Sequence, residues 1–386
     1  MSTSSNPLSW LPLHFSTVDD PRTGNRKVHQ LLEIIGLTII AVISGADNFI
    51  AIEQFGNAKL DFLRQFFSFK NGIPSHDTIG RCFSLMESRQ VESAFASWVK
   101  QVSELTEGEV IAIDGKTVRG SHDKHRDKSA IHMVSAWAAG NGLCLGQLKV
   151  ANKSNEIVAI PKLLDLLDLK GCIVTIDAMG TQKEIARKII KGKADYVLAL
   201  KANHPELHEE VVQSFQHLAG SDQYPMIEEW NKDHGILVES RRCCVLDVEA
   251  ADFDWILPQD LAAWTGLSSI IMIESQRWLP KGASLERRYY LSSLSLKKNN
   301  QADFNRIIRQ HWSVENSLHW SLDVTFGEDQ SRVRTGQADH NLSIMRRLVL
   351  NLIKKDKSLK VGIQSKRMRA AWDNAYLLKI LRLGNL

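Results

Sequence analysis

Apolar residues recur at helical spacing through residues 28–106, so we predict an all-α N-terminal domain there. The run from Leu31 to Ile43 is apolar almost all round, which indicates a buried helix. Ser75 can cap a helix that runs to Met86, and a longer helix is expected from Gln90 to Leu105. Two helices joined by a short turn are typical of a helix-turn-helix DNA reader. A plain helical packing domain is the favoured alternative, because no basic recognition face stands out.

Short apolar runs replace the helical spacing after Glu109. Gly140-Asn141-Gly142 separates two of these runs and predicts a β-hairpin. Helices are expected between the later strands, and Thr181-Gln-Lys-Glu184 has the pattern of a capping box at the start of one of them. Strands followed by alternating helices and strands predict an α/β protein with a mixed sheet and helices on its faces. The predicted strands are Val110–Lys116, Ala130–Ala139, Leu143–Ala151, Cys172–Ile176, Tyr196–Leu200, Gly235–Val248, Ser268–Trp278 and Arg287–Leu294.

The stretch from Asp303 to Asp329 reads as one amphipathic helix. At about 100° per residue its apolar side chains form one stripe, and Glu315 lies near the middle of that stripe. A carboxylate in that position is expected to face the protein, where it needs a cationic partner or a bound cation. The residues that share the stripe are Phe304, Ile307, Ile308, His311, Leu318, Leu322 and Phe326.

Composition adds a charge asymmetry to this pattern. Residues 331–386 carry 13 Lys and Arg against 3 Asp and Glu, whereas the rest of the chain carries 35 against 41. A basic C-terminal region beside a carboxylate-rich body suits a polyanion-binding protein with a metal site, and solvated helix faces are an equal alternative.

Residues 1–27 are polar and expected to be flexible. No secretory signal or bilayer-length apolar run is evident, and the five cysteines form no paired motif, so we expect a reduced, cytoplasmic protein.

Three acids have positions that suggest chemistry. Asp114 is expected at the end of the first strand, and Asp177 directly follows the fourth; ligands of open α/β sheets bind at such strand ends. If those strands are neighbours, the two aspartates and Glu315 form a set of carboxylates that selects Mg²⁺ or Mn²⁺. Two such ions would support phosphodiester chemistry. Taken singly, each strand-end aspartate is more often a turn former, and Glu315 could pair with Arg306 or Arg309. The rival third acids are Asp323, Glu328 and Asp329.

Three segments carry a family resemblance: Ile113 to Gly120, Thr175 to Gln182 and Arg309 to Val324. Together they resemble the DDE transposases of bacterial insertion sequences, in particular the H-repeat-associated (ISAs-type) family, over nearly the whole chain. The resemblance implies an RNase H-like catalytic domain at residues 107–335 with a β-rich insert at 224–296, followed by basic C-terminal helices at 336–386. It also implies that Asp114, Asp177 and Glu315 bind the metal and catalyse DNA cleavage and strand transfer.

The sequence departs from related transposases around the last acid. Tyr, Arg and Lys positions of the related motif are occupied here by Ile308, His311 and Leu322. Trp312 and Trp320 are candidates for stacking on unpaired bases, with packing as the alternative. Lys116, Arg119 and the loop through Lys128 could contact phosphate or form a solvated loop. The candidate DNA-binding residues are Lys116, Arg119, Arg309, His311, His319, Arg332 and Arg334.

The sequence therefore predicts a Mg²⁺- or Mn²⁺-dependent DDE transposase. Its expected partners are the double-stranded DNA of element ends and target, in the nucleoid, with a homodimer to join two ends and no membrane. The alternatives are an RNase H-like nuclease without strand transfer and an inactive, transposase-derived DNA-binding protein.

Overall fold

The structure, a computed structural model, describes residues 6–23, 27–122, 129–150, 156–222, 224–233, 237–250, 258–279 and 282–385. The chain divides into two compact units. The first comprises residues 1–104, 115–155 and 315–386, and the second comprises residues 105–114 and 156–314.

Residues 28–104 of the first unit are helical, as predicted. The expectation of a flexible segment at residues 1–27 is wrong for Trp10–Phe15, which form α1 and bury Trp10, Leu11 and Phe15. Helix α2 is buried along almost its whole length, which confirms the expectation from its apolar sequence. Ser75 caps α5 by accepting a hydrogen bond from the Thr78 backbone N–H, so this cap is also confirmed. The helices are α1 (Trp10–Phe15), α2 (Leu31–Ile43), α3 (Phe49–Ala58), α4 (Leu60–Leu63), α5 (His76–Leu85) and α6 (Ser88–Val102).

The C-terminal helices complete this unit. They are α12 (Ala338–Lys355), α13 (Ile363–Trp372) and α14 (Asn374–Arg382). All side chains of α12 from Ala338 to Ile353 are buried, and the helix packs against α2, α5 and α6. Along α12 the basic residues therefore form no open surface, whereas Lys357, Lys360, Arg369, Lys379 and Arg382 after it are exposed. The arginines Arg346, Arg347 and Arg367 are at most 2% exposed.

In the part of the chain that the structure describes, nine strands form one sheet in the order β3-β2-β1-β4-β5-β9-β8-β7-β6. Strands β1, β4 and β5 are parallel neighbours, whereas the β2–β3 hairpin and the four strands β6 to β9 pair antiparallel, as does β5 with β9. This is the mixed sheet that the sequence predicts, with an RNase H-like order in its first five strands. The strands are β1 (Val110–Val118), β2 (Ile131–Ala138), β3 (Leu143–Val150), β4 (Ile173–Ile176), β5 (Asp195–Leu200), β6 (Ile227–Asp233), β7 (Leu237–Asp247), β8 (Ser269–Leu279) and β9 (Gly282–Ser292).

Helices connect the strands of the second unit. They are α7 (Glu156–Asp165), α8 (Lys183–Lys191), α9 (Pro205–Leu218), α10 (Pro258–Ala262) and α11 (Gln301–His311). The capping box predicted for α8 is wrong, because its N-cap is Gln182 and has no side-chain capping bond. The Thr181 hydroxyl instead donates to the Ala199 carbonyl at 2.6 Å and so ties this turn to β5. No helix in the described part of the chain is long and apolar enough to span a membrane.

The predicted long helix from Asp303 to Asp329 is interrupted. Regular α-helix ends at His311, and turns with π-type, i to i+5 hydrogen bonding follow at Val314–His319 and Ser321–Thr325. Each wider turn holds an extra residue, so the positions after it rotate about the axis by roughly 100° relative to a regular helix. Leu318, Leu322 and Phe326 still lie in the core.

Candidate active site

Asp114 and Asp177 lie side by side in the sheet register of the second unit. Strands β1 and β4 are parallel and pair from Val110 with Ile173 up to Ile113 with Ile176. The next residue of each strand is one of the two aspartates, and neighbouring strands are about 4.8 Å apart. The expectation that Asp114 ends its strand is wrong, because β1 continues to Val118. Its pairing with β4 nevertheless ends just before Asp114, so both carboxylates follow the end of the shared ladder.

The turn after β4 fixes the Asp177 carboxylate. Its Oδ1 accepts hydrogen bonds from the backbone N–H groups of Met179 at 3.2 Å and Gly180 at 3.4 Å. A Cβ on residue 180 would lie 2.3 Å from Ile176 Cγ2, so only glycine fits this close turn. The Asp-Ala-Met-Gly sequence is therefore the local structure that orients the carboxylate.

His311, at the end of α11, lies next to this carboxylate turn. Its Nδ1 is 3.0 Å from the Thr175 hydroxyl on β4. Burial lowers the pKa of His311 to about 4, although the negative charge of Asp177 opposes the shift. Burial likewise lowers the pKa of His319 to about 3, together with the cations Arg347 and Lys116. Both rings are therefore neutral near pH 7.

Glu315 does not face the protein interior. The side chain is exposed and lies in the first of the π-type turns that begin at Val314. The two arginines that the sequence suggests as its partners form ion pairs with other carboxylates. Arg306 pairs with Asp303 at 3.4 Å, and Arg309 pairs with Glu239 at 3.0 Å. The predicted burial of Glu315 and the alternative ion pairs are therefore both wrong, and its carboxylate is accessible to a ligand.

The rival third acids are held by cations within the first unit. Glu328 is fully buried, and its Oε1 is 2.9 Å from Arg347 Nη1. Asp323 and Asp329 each place an oxygen on the Lys116 ammonium, at 2.7 and 2.8 Å. Because these carboxylates are already neutralised by protein cations, they are weaker candidates than Glu315 for a catalytic metal.

The same contacts change the role of Lys116. The side chain is only 6% exposed, so it forms neither the phosphate contact nor the solvated loop suggested by the sequence. Arg119 is different: its side chain is 85% exposed and lies 3.6 Å from Asp329. Residues 123–128 of the loop that follows lie outside the described residues.

Arg332 and Arg334 line a groove of about 960 Å³ in the first unit. Arg334 is tethered there, since its Nε donates to the Gly120 carbonyl at 3.0 Å. Arg81 of α5 lines the same groove, although its sequence position gave no sign of a functional role. Of the two tryptophans, Trp312 lies 4.7 Å beneath the Arg288 guanidinium, and Trp320 is 56% exposed.

The donor chemistry at Asp114 and Asp177 fits a hard divalent cation. Two carboxylates at adjacent strand positions supply the oxygen ligands that Mg²⁺ and Mn²⁺ prefer. Within the described ranges, no group of three or more His, Cys, Asp or Glu side chains is arranged to hold a metal ion. The five cysteines are all buried and none forms a disulfide.

Comparisons with known proteins give consistent matches. Residues 105–352 match the family described as "Transposase DDE domain", and residues 13–99 match the one described as "DDE_Tnp_1-associated". The chain is 42% identical to "Putative transposase YncI" of Escherichia coli O157:H7, over 95% of this chain and 93% of that protein. It is 40% identical to "H repeat-associated putative transposase YhhI" of Escherichia coli K12, over 95% of this chain and 96% of that protein.

One solved structure is also similar, at a lower level. It is the cryo-EM structure of the piggyBac transposase synaptic complex with hairpin DNA, which has 11% sequence identity and a TM-score of 0.47. The match covers 98% of this chain and 82% of that chain.

Proposed function

Because this chain belongs to the family of transposases with a DDE domain, we propose that it cuts DNA at the ends of an insertion element and joins them to target DNA. The observation that carries this proposal is the β1–β4 register, which makes Asp114 and Asp177 neighbours at the end of one parallel ladder. Glu315, whose carboxylate is exposed, is the third acid of the proposed triad.

The three carboxylates would hold Mg²⁺ or Mn²⁺, which when bound activates a water or a 3′-hydroxyl and stabilises the leaving oxygen. Asp177 is oriented by the two backbone N–H groups at its Oδ1. Neutral His311 adds no positive charge beside it, so it does not compete with a cation for the carboxylate. Within the first unit, Lys116 holds Asp323 and Asp329 and Arg347 holds Glu328, so these acids are kept from acting as alternative ligands.

The proposed partner is double-stranded DNA, from both the element ends and the target. In the first unit we assign contacts with its backbone to the exposed Arg119 and to the groove that contains Arg81, Arg332 and Arg334. Joining two ends calls for two active sites, so we propose a homodimer on DNA. Binding to chromosomal DNA would place the protein in the nucleoid.

The test is cleavage of a supercoiled plasmid that carries the flanking repeats of the element, with Mg²⁺ or Mn²⁺. Wild type is compared with Asp177→Asn, Glu315→Gln and the matched control Glu184→Gln, whose exposed carboxylate pairs with Arg187 on the same helix. We expect nicked and joined products from wild type and the control, and a loss of at least about 100-fold in the two site variants.

Other outcomes separate the alternatives. Nicking without joined products would identify a nuclease rather than a transposase. Full activity in Glu315→Gln would exclude Glu315 as the third acid. Salt-sensitive DNA binding without cleavage in every protein would identify an inactive DNA-binding relative.

A further inference from the structure

Four arginines meet on one face of the β-rich insert in the second unit. By register, Arg241 on β7, Arg277 on β8 and Arg288 on β9 share this face, and Arg309 of α11 reaches it. Among the described residues, two glutamates form direct ion pairs with them. Glu239 binds Arg277 and Arg309, each at 3.0 Å, and Glu286 binds Arg288 at 2.7 Å.

Arg241 is the member that these glutamates leave out. It is 7% exposed, makes no ion pair with any described residue, and its Nε has no hydrogen-bond partner among them. Burial and the like charges of Arg309 and Arg288 lower its pKa, and Tyr290 and Glu239 offset this only in part. A buried guanidinium that has no ion pair with a described residue is unfavourable, so such a position is suited to an external anion.

The arrangement favours a phosphate as that anion. Guanidinium groups bind phosphate oxygens in pairs with fixed geometry, and several of them can surround one phosphate. Residues 224–296 carry 7 Lys and Arg against 11 Asp and Glu, so the insert is not a general polyanion surface and the attraction is local. Helix α11 also connects the cluster to the candidate site: it packs on β7 and β4, and Arg309 precedes His311 by two residues.

We propose that Arg241, Arg288 and Arg309 bind one phosphate of the DNA backbone beside the Asp177 end of β4. The identity of the anion rests on the proposed function. The related motif has Arg and Lys at the positions of His311 and Leu322, and in this arrangement the arginines of the β-rich insert supply positive charge that these two positions lack.

The test compares Arg241→Met with Arg242→Met as the matched control. Arg242 is the next residue of the same strand but lies on the opposite face, where it binds Glu274 at 3.3 Å and Glu228 at 3.4 Å. DNA affinity is measured by fluorescence anisotropy over a range of salt concentrations, with Ca²⁺ in place of Mg²⁺. Thermal unfolding of each protein is measured without DNA.

For Arg241→Met we expect an unchanged or higher Tm, since a buried unpaired charge is removed. We also expect weaker DNA binding and a slope of log affinity against log salt that is shallower by about 0.9, the value for one lost phosphate contact. Arg241→Lys, which keeps the charge, should retain most of the slope. Arg242→Met should lower the Tm, because it leaves the buried Glu274 carboxylate with one partner fewer, and keep the wild-type slope.

The proposal is overturned if Arg241→Met leaves the salt slope unchanged, whatever its Tm, or if wild type binds DNA without salt dependence. Plasmid cleavage is scored separately. A shallower slope in Arg241→Met without any wild-type cleavage would remove the proposed reaction and retain the phosphate site. Wild-type cleavage together with an unchanged slope in Arg241→Met would exclude the phosphate site and leave the proposed reaction intact.

Discussion

Replacement of Lys116 by methionine tests whether this lysine holds the segment from Asp323 to Asp329 in place. The ammonium lies 2.7 Å from Asp323, 2.8 Å from Asp329 and 4.0 Å from Glu328, and the side chain is 6% exposed. Methionine keeps most of the volume of the side chain and removes only the charge. The measured effect is therefore dominated by electrostatics rather than by a cavity.

The expected loss of stability can be bounded from the structure. Removal of one partner of a fully buried ion pair costs about 3–5 kcal/mol. The side chains of Asp323 and Asp329 are 34% and 25% exposed, so water can replace part of the lost interaction, and Glu328 keeps Arg347. We therefore expect Lys116→Met to lower the free energy of unfolding by about 2–3 kcal/mol at pH 7.

This loss should depend on pH. Burial raises the pKa of Asp323, and the hydrogen bond and charge of Lys116 oppose this shift. Without the ammonium, the pKa of Asp323 in the folded variant rises further above its value in the unfolded chain. The folded variant then binds more protons than the unfolded chain as the pH falls. Its deficit relative to wild type should consequently be largest above about pH 5 and shrink towards about pH 4.

The assay is urea unfolding of wild type and Lys116→Met at a series of pH values, with Arg119→Gln as the control. Arg119 lies 3.6 Å from the same Asp329 but is 85% exposed, so its loss should cost no more than about 1 kcal/mol. A deficit below about 0.5 kcal/mol in Lys116→Met, or one of equal size at pH 4 and pH 7, would refute the structural role of Lys116.

Two further predictions concern the Asp177 turn and its neighbour His311. Gly180→Ala should destabilise the protein by about 1–3 kcal/mol, because the new Cβ lies 2.3 Å from Ile176 Cγ2. Gly362→Ala, whose Cβ meets nothing within 4 Å, should cost less than about 1 kcal/mol, and equal Tm values for the two variants would contradict this. The pKa of His311 is lowered to about 4, so between about pH 6.5 and 4 the unfolded chain binds a proton that the folded chain excludes. The free energy of unfolding should therefore decrease as the pH is lowered through that range. His311→Gln should show a shallower fall in the urea midpoint, and identical profiles would show that His311 does not contribute.

The sequence alone determined the elements whose signals are local. The Asn-Gly turn predicted the β2–β3 hairpin, which pairs Ala138 with Leu143, and Ser75 predicted the start of α5. The end of β4 before Asp177 was also evident, because an apolar run meets a polar turn there. Strand β6 was missed, since the mixed polar sequence of Ile227 to Asp233 has no apolar alternation.

The candidate site was predicted only in part. The strand positions of Asp114 and Asp177 could be estimated from the sequence, but their adjacency depends on β1 and β4 pairing across about 60 residues of intervening chain. The exposure of Glu315 was not predictable from a helical projection, because that projection assumes 3.6 residues in every turn. The π-type turns after His311 break the assumption exactly where the carboxylate lies.

Charged residues show most clearly what only the tertiary structure decides. Lys116 looks like a surface lysine in sequence, yet its partners Asp323 and Asp329 lie more than 200 residues further along the chain. Arg241 and Arg242 are adjacent and chemically identical, but the strand places them on opposite faces, one paired with glutamates and one without an ion pair to any described residue. Local pattern fixes which residues form a helix or a strand, because those hydrogen bonds are short-range. The function of a charge depends on which distant groups the fold brings to within a few ångströms of it, and on how much water remains there.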